Sequence, residues 1–133
     1  KKRGLVIFAV AGDPDMERSR DVFLAAARGG ADLLEIGVPF SDPTADGPII
    51  QQASNRALAG GASLPNIIKM VRELRNTIDI PIILFGYANP FIHYGADRLA
   101  QQLKWSGVDG LLVVDLPPEE DDLLGPAMKS RDS

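Results

Sequence analysis

Leu34-Glu35-Ile36-Gly37-Val38-Pro39-Phe40-Ser41-Asp42-Pro43-Thr44-Ala45-Asp46-Gly47-Pro48 is the stretch on which the reading of this chain turns. It opens in an apolar run and carries a glutamate into the end of that run. It then leaves through a proline-stiffened loop to an aspartate and a Gly-Pro pair. The apolar run, residues 32–36, is continuous rather than alternating, which is how a strand reads when both of its faces are buried, as in a parallel sheet. Three more runs of this kind lie near residues 5–10, 81–86 and 110–115, each followed by small or polar residues.

Amphipathic helical patterns separate the runs. Asp13 or Asp15 caps the first, with Pro14 placed for an opening turn, and Gly29-Gly30 stops it. Ser63 caps another, in which Leu64, Ile67, Ile68, Val71 and Leu74 recur at helical spacing. Ala96, Leu99, Ala100 and Leu103 stripe a third, closed by Gly107, and Pro118 with Glu119 to Asp122 reads as the acidic first turn of a fourth. Between Gly37 and Ser63 the spacing predicts a long loop and a short extra helix at about residues 48–58; a loop of that size inside a compact unit is usually functional. Gly30-Ala31-Asp32-Leu33-Leu34 echoes Gly107-Val108-Asp109-Gly110-Leu111, a faint repeat marking one recurring βα unit. The pattern predicts α/β architecture, one domain over residues 1–133 with four βα units. Right-handed crossovers make these either an open sheet or half of a (β/α)8 barrel, and periodicity leaves both open.

Composition narrows the function. The chain has 133 residues, 45% hydrophobic and 24% charged, with net charge −4 and a pI of about 4.9. A mildly acidic chain carries no electrostatic footprint for nucleic acid or an anionic membrane. It has no cysteine, which excludes disulfides and thiolate metal sites, and its single histidine, His93, argues against a histidine-built zinc site or a Ser-His-Asp triad. No apolar run approaches the ~20 residues of a membrane span, and the run after Lys1-Lys2-Arg3 stops too soon for a signal core. The expected location is the cytoplasm.

Glu35 is the chemically informative residue. A carboxylate in an otherwise apolar strand is costly to desolvate. It is either a structural glutamate with a buried partner or an acid/base poised by its surroundings. Asp46, eleven residues on, is an ordinary helix N-cap when read alone. Together, a strand-end and a loop carboxylate would share the rim where (β/α) barrels place catalysis, and two carboxylates in different environments can divide acid and base roles.

These residues resemble the second-strand motif of the tryptophan synthase alpha subunit family, and three further segments resemble the same family in order: Phe8 to Pro14, Pro81 to Pro90 with Tyr87-Ala88-Asn89-Pro90, and Val108 to Glu120 with Val114-Asp115-Leu116-Pro117. The resemblance implies a TIM barrel of which about four of eight units are present. It implies a carbon–carbon lyase of tryptophan biosynthesis that cleaves indole-3-glycerol phosphate to indole and glyceraldehyde 3-phosphate without a cofactor. Pyridoxal phosphate is expected only in a partner beta subunit of an alpha2-beta2 assembly. Glu35 matches the proton-shuttling glutamate and Asp46 the aspartate that accepts the indole N–H. Phe8, Phe85 and Tyr87 match the indole pocket. Pro39, Asp42 and Asn89 match the surface facing the beta subunit. No metal ligand, nucleic acid or membrane is implied.

The sequence departs from the family in two ways. It begins almost at the first strand, and the half expected to supply a mobile loop and a phosphate cradle is missing. The expectation is a fragment or truncation with little activity alone. The rival readings are a self-associating, non-catalytic half barrel, for which open edge strands give a motive, and another phosphate-handling barrel aldolase or isomerase, which would place a lysine or histidine at a strand end.

Overall fold

The computed structural model describes residues 4–40 and 47–115. Four strands, β1 (Val6–Val10), β2 (Leu33–Gly37), β3 (Ile82–Gly86) and β4 (Gly110–Val113), form one parallel sheet in the order β1-β2-β3-β4. The helices are α1 (Met16–Arg28), α2 (Pro48–Ala59), α3 (Leu64–Leu74), α4 (Ala88–Tyr94) and α5 (Ala96–Ser106). Sequential neighbours with a helical crossover between each pair have the strand order of half a barrel, with β1 and β4 at the edges of the described sheet.

Local chemistry sets the helix ends. The Asp15 carboxylate accepts from the Arg18 N–H at 2.8 Å and starts α1, and the Ser63 hydroxyl accepts from the Asn66 N–H and starts α3. Gly107 ends α5 in the left-handed conformation at φ 92°, which a side chain would strain. The helix Pro118 was expected to open lies outside the described residues.

The repeated Gly-x-Asp segments form the same bond pattern twice. Asp32 donates its N–H to the Leu5 carbonyl at 2.7 Å while its carboxylate accepts from the Leu5 N–H at 2.8 Å. Asp109 donates to the Ile82 carbonyl at 2.8 Å while its carboxylate accepts from the Ile82 N–H at 2.9 Å. Each aspartate thus latches the start of its strand to the neighbouring strand. Asp109 also receives Arg75 at the C-cap of α3, whose guanidinium bonds the carbonyls of Gly107 and Ile80. Asp109→Ala removes both partners at once and is expected to destabilise the chain by about 1–3 kcal/mol, read as a lower urea midpoint; Asp109→Asn, which keeps an acceptor oxygen, should lose less.

The core lies between the sheet and the helices α1, α3, α4 and α5. Leu34, Ile36, Ile82 and Leu84 point into it and are fully buried, with Phe23, Ile67, Phe91 and Leu99 from the helices. The other face of the sheet differs from the sequence expectation that both faces are buried. Its residues, Phe8, Glu35, Ile83 and Phe85, are only half-buried, and Val6 and Leu112 are about half exposed. No described helix covers this face along its length, so among the described residues an apolar strand surface that reads as interior in sequence stands partly open.

Candidate active site

In a parallel sheet, register partners project to the same side. Phe8, Glu35 and Ile83 are partners, and in the next row towards the strand ends so are Val10, Gly37 and Phe85. Glu35 therefore stands on the open face beside two aromatic rings. Phe8 and Phe85 meet edge to face, centroids 5.5 Å apart and planes 73° apart, a favoured aromatic geometry. They can meet because Gly37 lies between them: a Cβ there would stand 2.9 Å from the tip of the Phe8 ring. Gly37 is a site residue that sequence reasoning took only for the strand's end.

Glu35 is half-buried rather than deeply buried, because the face it stands on is open. Among the described residues its carboxylate makes no hydrogen bond and no ion pair. A structural glutamate would be expected to show the partner that justifies its place in an apolar strand.

The short helix α2 lies over the end of β1, apart from the outer helical layer. Ala53 and Ala57 pack on Val10, with Phe8 and Ile50 against them. The Arg56 guanidinium grips the Asp13 carboxylate through two bonds, Nε–Oδ1 at 2.8 Å and Nη2–Oδ2 at 2.9 Å, tying α2 to the loop after β1. This hydrogen-bonded carboxylate raises the pKa of Arg56 above its ordinary value. Phe8, Ile50, Ser54, Phe85 and Tyr87 line a small cavity beneath α2. Tyr87 is buried and its ring packs on Phe40 at 5.3 Å. Phe8, Phe85 and Tyr87 thus line one cavity, with Glu35 on the same sheet face as the register partner of Phe8, while Asp46 and Asp42 lie outside the described residues. Ile50 and Ser54 are wall residues that sequence reasoning missed, since each reads as an ordinary position of an amphipathic helix.

Behind Tyr87, α4 begins where the Asp115 carboxylate accepts from the Ala88 N–H at 2.8 Å. Asn89 is exposed, and Pro39, although in the loop, is buried. Phe40, Pro90 and Ile92 line a shallow groove with Asn89 and His93, and the wall of an adjoining one is Val38, Pro39, Leu58 and Leu64. Among the described residues no group of three or more His, Asp or Glu side chains is placed to hold a metal ion. No described helix is long and apolar enough to cross a membrane.

A family model described as tryptophan synthase alpha chain matches residues 1–132. The chain is 52% identical over 119 residues to the tryptophan synthase alpha chain of Desulfatibacillum aliphaticivorans, covering 90% of this chain and 45% of that protein. It is 55% identical over 123 residues to that of Citrifermentans bemidjiense, covering 90% and 46%. Among solved structures, tryptophan synthase subunit alpha from Legionella pneumophila superposes with a TM-score of 0.95 at 43% identity, over 98% of this chain and 50% of that one. A chain of the tryptophan synthase complex from Pyrococcus furiosus superposes with a TM-score of 0.91 at 37% identity, over 97% and 53%. The chain therefore spans about half the length of the relatives it matches, and its four units form half of a TIM barrel.

Proposed function

The chain belongs to the tryptophan synthase alpha chain family, and from that premise we propose that it supplies the acid/base half of a carbon–carbon lyase of tryptophan biosynthesis. The substrate is indole-3-glycerol phosphate, and the complementary half of the barrel binds its phosphate. The supporting observation is the Glu35 carboxylate, without a partner among the described residues, on the same sheet face as the Phe8–Phe85 pair.

The two rings and Tyr87 seat the indole. Glu35 as its acid delivers a proton to indole C3, and Asp46 accepts the ring N–H and steadies the positive charge that spreads over the ring. Glu35, now a carboxylate, takes the proton of the glycerol hydroxyl as the bond from C3 to that carbon breaks. The bonding electrons restore the aromatic ring, and the hydroxyl carbon leaves as the aldehyde of glyceraldehyde 3-phosphate. One proton is given and one recovered, so no cofactor is consumed. The groove at Phe40, Asn89, Pro90 and Ile92, with Pro39 in the wall of the adjoining one, faces a beta subunit, and the family resemblance assigns Asp42 to the same contact. No described strand ends in lysine, which counts against a Schiff-base aldolase.

Indole release from indole-3-glycerol phosphate tests the proposal. The chain joined to a complementary half barrel of a relative is expected to turn over, and the chain alone to fall at least a hundredfold below it. No indole from a folded, completed barrel would refute the assignment.

A further inference from the structure

Three serine side chains are buried among the described residues: Ser19, Ser54 and Ser106. Two have evident partners. The Ser19 hydroxyl accepts from the Gly12 N–H at 2.9 Å, and the Ser106 hydroxyl donates to the Leu103 carbonyl at 3.1 Å. The Ser54 hydroxyl, on a residue only 3% exposed, makes no hydrogen bond to any described residue, not even to the carbonyl one turn back that helical serines commonly use. A buried hydroxyl without a partner is unfavourable, so its surroundings must offer one.

What surrounds it is the small cavity under α2, walled by Phe8, Val10, Gly37, Ile50, Phe85 and Tyr87. Its volume is about 10 Å³, the least that holds one water molecule and far too little for an aromatic ring. The half-buried Phe8, Ile50 and Phe85 form its open side, and the buried Ser54, Val10 and Tyr87 lie deeper. An aromatic ligand on the Phe8–Phe85 face therefore presents one edge to a hole of water size lined by one hydroxyl that no described residue satisfies.

We propose that Ser54 is a specificity-determining residue. It makes the floor of the aromatic pocket a polar subsite that holds one water molecule and exchanges it for a hydroxyl substituent on the ligand's ring. This deepens the functional reading above and rests on it for the identity of the ring. A hydroxyl and a methyl group are close in size, so only the polar character of the hole separates them. One neutral hydrogen bond corresponds to about a threefold to tenfold difference in affinity.

The test compares binding of indole, the benzo-ring hydroxyindoles and the methylindoles substituted at the same positions, in the completed barrel and in its Ser54→Ala variant. At least one hydroxyindole should bind about threefold to tenfold more tightly than its methyl counterpart. Ser54→Ala should abolish that preference, so that each hydroxyindole binds no more tightly than its methyl counterpart. A serine with a merely structural role would shift the melting temperature and leave the preference in place. Hydroxyindoles that bind no better than methylindoles, or a preference that survives in Ser54→Ala, would overturn the inference while leaving the lyase reading intact. A completed barrel that binds no indole would overturn both.

Discussion

Glu35→Gln in the completed barrel is expected to lower the rate of indole release by about 10²–10⁴-fold, the usual contribution of a positioned general acid/base, with little change in melting temperature. The substitution keeps the shape of the side chain and removes its ability to give and take a proton. The fold should tolerate it because the carboxylate is half-buried and holds no hydrogen bond or ion pair among the described residues. A stability loss of several kcal/mol with modest rate loss would mark Glu35 as structural.

The second large effect is on the fold. Phe91→Ala is expected to cost about 3–5 kcal/mol, as for other fully buried aromatic residues truncated in a core. Phe91 is 0% exposed, and its ring rests against Gly86 at the end of β3, where a Cβ would come within 3.1 Å. The ring is the main apolar attachment of α4, a helix of seven residues with no side-chain cap of its own at Tyr87. Such a loss is a large share of the ~5–15 kcal/mol that holds a domain folded. Thermal unfolding by circular dichroism should therefore show a drop of more than ~10 °C. A drop of only a degree or two would mean that α4 is held chiefly by its Asp115 cap and not by this ring.

These two residues also show what the sequence made legible. Strands and caps follow from local chemistry: Asp15 and Ser63 have side-chain oxygens where the first free N–H groups need them. The Gly-x-Asp repeat proved to be one latch used twice, because an aspartate entering a parallel strand can bond the start of its neighbour. The helix α4 was not legible, since Asn89-Pro90 reads as a turn. Proline costs little at the third helical position, where the N–H has no intrahelical partner. The depth of Glu35 was misjudged for a different reason. Continuous apolar strands report the burial their surface is suited to, and the described chain covers only one side of the sheet.

Site residues divide along the same line. Glu35 stood out because a charge in an apolar run is costly, and Phe8, Phe85 and Tyr87 came through family resemblance. Gly37 and Ser54 did not stand out. The importance of a glycine that admits a ring, or of a serine facing a cavity, arises from contacts across strands and helices that periodicity does not encode.

Hydrogen exchange at C3 of free indole in D2O, followed by proton NMR, is the most direct test of the claim that Glu35 moves a proton at the ring. The completed barrel should accelerate loss of the C3 proton signal, and Glu35→Gln should return it to the uncatalysed rate while still binding indole. Exchange at the wild-type rate in a folded, indole-binding Glu35→Gln protein would contradict the account.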